Sequence, residues 1–219
     1  LTGLARLKPG ISSAMSDRPP TGLLVDFGGV LTTSIWDSFA AFCAAEDLDP
    51  DAIKTVFRGR GRGLELLRSL ERGELEDSEF EAQFAALLGV DPEDLIGRLF
   101  AGLGPDEAMV VAVGAIREAG IPTGLISNSW GTGIYERAPL ELFDATVISG
   151  EVGLHKPQPE IYELGAERIG LAAGQCAFVD DLAENIAGAE AVGMRGVLHR
   201  GARQTIVELE RLFGLELPP

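Results

Sequence analysis

The sequence predicts an α/β fold: a doubly wound parallel sheet interrupted once by an inserted helical subdomain. Three observations carry this. Five short apolar runs are continuous rather than alternating, which suits strands covered on both faces. Segments with helical periodicity separate the later runs, and strand alternating with helix implies right-handed crossovers. Between the first and second runs lie about ninety residues with helical patterns and no convincing strand, too long a stretch for a structureless loop. The 219 residues suffice for one such domain plus its insert.

Taken in order, residues 1–20 carry the polar stretch SSAMSDRPP and read as a leader or tail. Residues 22–27 (GLLVDF) form the first strand. The insert spans roughly 36–106. Its first helix, 36–46, places Trp36, Phe39, Ala40, Cys43 and Ala44 on one face, and 78–88 repeats this with Phe80, Phe84, Leu87 and Leu88. Asp91-Pro92-Glu93 then opens a helix before Leu95, Ile96 and Leu99. The core resumes with a helix at 107–119 and strands at 122–127 (PTGLIS) and 145–149 (ATVIS). Helix 160–169, strand 176–179 (CAFV), helix 182–192, strand 196–199 (GVLH) and helix 203–213 complete it. Residues 21–35 and 107–219 thus make the core. The insert grows from the carboxyl end of the first strand, where open α/β sheets bind ligands.

Composition narrows the partners. Lys plus Arg number 18 against 34 Asp plus Glu, a formal charge of −16, which argues against nucleic-acid binding and against anionic membranes. The longest mainly apolar stretch, 108–116, is about half of a membrane span. The N-terminus has no apolar signal-peptide core. Two cysteines in unrelated contexts, Cys43 and Cys176, form no disulfide framework, so a cytoplasmic setting is expected.

Three of the runs end in polar residues that are candidates for chemistry. Asp26 ends the first, and Asp180 with Asp181 ends the fourth (FVDDLAEN). A carboxylate closing an apolar run is costly unless solvated, paired or bound to metal. If the two strands are neighbours, Asp26 and Asp181 can share a divalent ion, and oxygen donors without nearby His or Cys favour Mg²⁺. The second run ends in Ser127-Asn128-Ser129, either an oxyanion cradle or an ordinary helix cap. In GLHKPQPEIY, Pro157 keeps Lys156 extended and out of the following helix, so its ammonium can point into a site; alone it reads as a surface lysine.

In this order, the four motifs with a helical insert after the first resemble the haloacid dehalogenase superfamily, from about Leu23 to Arg200. The wording DFGGVLT is similar to a branch that includes sugar-phosphate phosphatases and the N-terminal phosphatase domains of soluble epoxide hydrolases. The resemblance implies a Rossmann-like core, a helical cap, and a Mg²⁺-dependent phosphomonoester hydrolase acting on a small phosphorylated metabolite. It implies Asp26 as the nucleophile, forming an aspartyl-phosphate. Mg²⁺ would bind Asp26, the Gly28 carbonyl and Asp181, with Asp180 as a neighbouring ligand or just behind. Ser127 and Asn128 would hold the phosphoryl group, and Lys156 would balance its charge.

One departure stands out. The family's phosphatases carry a general acid–base Asp where this chain has Gly28. His155 and Asp180 are then candidate proton sources, His155 reading first as structural. The same departure fits a metal-free 2-haloacid dehalogenase or a non-catalytic phospho-ligand-binding regulator, whereas the Asp180-Asp181 pair fits a Mg²⁺ phosphatase. In the insert, FRGRGRGLE brings Arg58, Arg60 and Arg62 together, first as a solvated loop and second as a clamp for another anionic group. Trp36 reads first as a core aromatic and second as cleft lining.

Overall fold

The computed structural model describes residues 18–58, 61–130, 135 and 139–218. Nearly all of the expected leader and Arg60 lie outside the described residues. Five strands, β1 (Gly22–Val25), β2 (Thr123–Ser127), β3 (Ala145–Ile148), β4 (Cys176–Asp180) and β5 (Arg195–Leu198), form an all-parallel sheet in the order β3-β2-β1-β4-β5. The expected first strand overruns β1 by two residues, because Asp26 and Phe27 begin the loop beyond it.

Ten helices accompany the sheet among the described residues. Five lie between β1 and the second half of the core: α1 (Ile35–Ala45), α2 (Ala52–Phe57), α3 (Arg62–Glu71), α4 (Asp77–Leu88) and α5 (Leu95–Leu99). The others are α6 (Glu107–Glu118), α7 (Ser149–Val152), α8 (Pro159–Arg168), α9 (Ala183–Ala191) and α10 (Ala202–Phe213).

The continuous apolar runs are explained by two-sided burial. Leu23, Val25, Leu125 and Val179 pack against Met109, Val113 and Ile116 of α6 and Ile206 and Leu209 of α10. The alternate residues Leu24, Ile126 and Phe178 face Ile161 and Tyr162 of α8 and Ile186 of α9. Both sets must be apolar, so alternation disappears.

The insert has a core of its own, in which Phe39, Phe42, Leu66, Leu70, Phe80, Phe84, Leu95 and Leu99 are buried together. Its two connections run side by side. Thr33 N–H donates to the Gly104 carbonyl at 2.8 Å, Asp106 N–H to Leu31 at 2.8 Å, and Gly104 N–H to Thr33 Oγ1 at 3.1 Å. At the far end of α3, the insert makes a further contact with α7 of the core.

Candidate active site

The sheet order places β1 between β2 and β4, so the carboxyl ends carrying Asp26, Ser127 and Asp180 converge where the strand order switches. Val25 pairs with Val179, and Asp26 N–H donates to the Val179 carbonyl at 2.9 Å. Asp26 Oδ1 then accepts from Phe27 N–H at 2.7 Å, which fixes the carboxylate at the strand exit.

Lys156 reaches this point from the loop before α8. Its Nζ lies 2.6 Å from Asp26 Oδ1 and 2.8 Å from Asp180 Oδ2, with the ammonium almost fully buried. The loop is held by a reciprocal clamp: Lys156 N–H donates to Asn128 Oδ1 at 2.8 Å, and Asn128 Nδ2 donates to the Lys156 carbonyl at 3.1 Å. Burial alone would push the Lys156 ammonium down, but Asp180 and Asp26 outweigh it and hold the group above its ordinary range. Burial raises the Asp26 carboxyl to about 7 against the pull of Lys156, with Asp180 and Asp181 adding to the rise.

The adjacent aspartates differ. Asp180 is wholly buried and accepts from Lys156 Nζ, from Asn185 Nδ2 at 3.0 and 3.1 Å, and from Leu182 N–H at 2.8 Å. Asp181 is only partly buried; burial first and Asp180 second raise its pKa, while Lys156 and Arg200 oppose. One oxygen from each of Asp26, Asp180 and Asp181 lies within 4.8 Å of the others. Gly29, at φ +74°, passes so close to Asp181 that a Cβ there would sit 2.8 Å from its Oδ2. Hard carboxylate oxygens gathered around a close-lying backbone suit a small hard cation such as Mg²⁺.

Ser127 is buried, and its Oγ accepts from Tyr135 Oη at 2.8 Å, which leaves the serine's own proton to donate. Asp26, Gly28, Ser127, Asn128, Lys156 and Asp181 all line one cavity of about 680 Å³. His155 is not among its lining residues: its Nδ1 lies 3.1 Å from the Lys156 carbonyl and its N–H donates to Gln158. Arg58 is exposed, and Arg62 begins α3 and donates to Gln83 at 2.5 Å, so the expected solvated character holds and these two do not line the cavity. Trp36 departs from its first reading, being 50% exposed and part of the cavity wall.

Sequence reasoning missed several residues here. Glu71 and Asp106 line the cavity, as does His199 beyond β5. His199 is buried, its N–H donates to the Asp180 carbonyl, and its Nδ1 lies 3.0 Å from Thr205 Oγ1. Burial lowers its pKa, with Asp106 opposing. The closing position of GVLH was the only available signal.

Comparison with known proteins decides the family. The model of haloacid dehalogenase-like hydrolases matches residues 20–193. The chain belongs to this family. A sesquiterpene phosphatase of Aspergillus oryzae is 27% identical over 157 residues, which cover 68% of this chain and 80% of that protein. Bifunctional epoxide hydrolase 2 of rat is 26% identical over 57% of this chain but only 24% of its own length. Among solved structures, a haloacid dehalogenase-like hydrolase of Porphyromonas gingivalis superposes with a TM-score of 0.70 at 20% identity, covering 93% of this chain and all of that one. A family enzyme of Bacteroides thetaiotaomicron in a magnesium complex gives 0.64 at 20% identity over 83% and 94% of the two chains. These two share the fold. The chain is thus a hydrolase, and the cavity at the carboxyl ends of β1 and β4 is its candidate site.

Proposed function

We propose that this hydrolase is a Mg²⁺-dependent phosphomonoesterase in which Asp26 is the nucleophile. The observation that carries the reading is the Asp26–Lys156–Asp180 ion-pair chain beside Asp181, at the floor of a cavity that also includes Ser127 and Asn128. Asp26, the Gly28 carbonyl and Asp181 would hold the ion, which neutralises carboxylate and phosphoryl charge when bound. Asp180 sits behind them, its oxygens engaged in fixing Lys156 and Asn185.

In the first step a carboxylate oxygen of Asp26 bonds to phosphorus, and the ester oxygen leaves with its electron pair. The buried Lys156 ammonium offsets charge on Asp26 and the phosphoryl oxygens, and the Ser127 hydroxyl donates to one of them. Water then attacks phosphorus, restoring the Asp26 carboxylate and releasing inorganic phosphate. The departing alkoxide needs a proton that Gly28 has no side chain to supply. His155 is turned away and Asp180 is fully engaged, so Glu71 and His199 are the better-placed groups. The relatives named as phosphatases point the same way.

The test is phosphate release from an aryl phosphate. Turnover is expected with Mg²⁺, is lost in excess chelator, and falls at least a thousandfold in Asp26→Asn. An unchanged rate in that variant overturns the reading. Halide release from 2-chloropropionate in chelator would replace it with dehalogenation, and metal-dependent phosphate binding without turnover would replace it with a regulator.

A further inference from the structure

The cavity extends from the phosphate-facing groups into the helical insert, and its two halves differ in character. Helices α1 to α3 contribute Trp36, Phe39, Phe57, Leu64 and Leu67 to the wall, and Glu71 is their one charged lining residue among the described residues. Trp130 completes an aromatic cluster, with ring centroids 5.5 Å from Phe39 and 5.8 Å from Phe57. Hydroxyls at the linker edge already serve the backbone: Thr32 accepts from Gly29 N–H and donates to the Thr33 carbonyl, and Thr33 and Ser34 accept from the N–H groups of Gly104 and Asp37. Two half-exposed apolar residues, Trp36 and Leu182, stand in the wall where it meets solvent.

A sugar or a second phosphate placed in this half would exchange water for rings and methyl groups, losing hydrogen bonds that each cost free energy when unmade. A hydrocarbon placed there gains by leaving water. About 680 Å³ is within the range of pockets that enclose most of an organic ligand. We infer that the site takes monophosphate esters of bulky apolar alcohols, the phosphate at Asp26 and the hydrocarbon against the Trp36–Phe57–Trp130 wall. The phosphate end of this inference rests on the phosphatase reading; the hydrocarbon end rests on the cavity.

The chain's two tryptophans both line the cavity, so their emission reports its occupancy. The full chain with Mg²⁺ is titrated with alkylphosphonates from methyl to decyl. The emission is expected to shift to the blue, and the Kd to fall by up to about fourfold per added methylene, the equivalent of ~0.8 kcal/mol for each buried CH₂. In Trp36→Ala the slope flattens while Trp130 still reports; Trp36 is exposed enough for the fold to survive its loss. A Kd independent of chain length, or tighter binding of glucose 6-phosphate than of octylphosphonate, overturns the inference. Turnover of the matching alkyl phosphates separates the two claims. Chain-length-dependent binding without release of phosphate defeats the phosphatase reading alone, and release with no chain-length dependence defeats the apolar substrate alone.

Discussion

Glu71, at the end of α3, faces the same cavity as Lys156, and burial raises its carboxyl to about 7. Lys156, Arg68 and Arg72 pull it down and Glu184 pushes it up, but none offsets the burial. The folded chain therefore holds a proton on Glu71 that the unfolded chain releases near 4.5. Its stabilising effect is complete below that value and is lost as pH rises through 7. Glu71→Gln should abolish this loss. Between pH 5 and 8, urea unfolding in chelator should show the wild type losing about 1–2 kcal/mol more than the variant, the full shift being discounted for partial solvent screening. An identical pH dependence in both would show that Glu71 is solvated. Glu71 could not be found in the sequence, since a glutamate in an amphipathic helix carries no motif, and His199 offered only its closing position in GVLH. Asp26, Asp180 and Asp181 were visible because each closes an apolar run, a break that is costly unless a site requires it, whereas Lys156 alone reads as a surface lysine and gains its role from the order of the four motifs.

At the scale of elements, strands were the most legible because two-sided burial writes itself as uninterrupted hydrophobicity. The helices α1, α4 and α5 were legible through their aromatic and leucine spacing. By contrast, α2 and α3 went unread, and the alternating glycines and arginines of FRGRGRGLE, which runs from the last residue of α2 into the first turn of α3, mimic a loop. The structure gives Gly63 a packing reason. A Cβ on Gly63 would lie 2.2 Å from Val56 Cγ1 and 2.8 Å from the Val56 carbonyl oxygen, so α2 and α3 approach closely only because that side chain is missing. Two effects compete in Gly63→Ala. Alanine favours a helix interior by about 1 kcal/mol, whereas overpacking against a backbone carbonyl typically costs about 1–3 kcal/mol. The carbonyl cannot swing aside as a side-chain tip can, so the clash should win. We expect a net loss of about 1–2 kcal/mol by denaturant unfolding, and a smaller change for Gly61→Ala, whose Cβ would be 3.2 Å from its nearest neighbour. Equal stability for the two variants would show that the helices can separate freely.

For the molecule as a whole, the charge of −16 acts against a phosphate dianion, and the site does little to reverse it. With all three carboxylates ionised, as a bound cation requires, Asp26, Asp180 and Asp181 set three negative charges against one positive on Lys156, a local sum of 1 − 3 = −2. A bound divalent cation brings that sum only to zero. Arg200 lines the cavity and is exposed, and Arg58 and Arg62 do not line it. On the proposed reading, affinity comes from short-range coordination and from the apolar wall rather than from a long-range field, and encounter should be hindered at low salt. The Debye length shrinks from about 30 Å at 0.01 M to about 8 Å at 0.15 M. Raising NaCl over that range, with free Mg²⁺ fixed and saturating, should therefore increase kcat/KM for a short alkyl phosphate, by roughly tenfold from the screened repulsion between the net charges. Arg200→Gln should lower kcat/KM most at low salt, where its one positive charge is least screened. A fall in kcat/KM with added salt would mean that cations near the cavity set the potential that the substrate meets, and that the excess acidity lies on distant faces of the molecule.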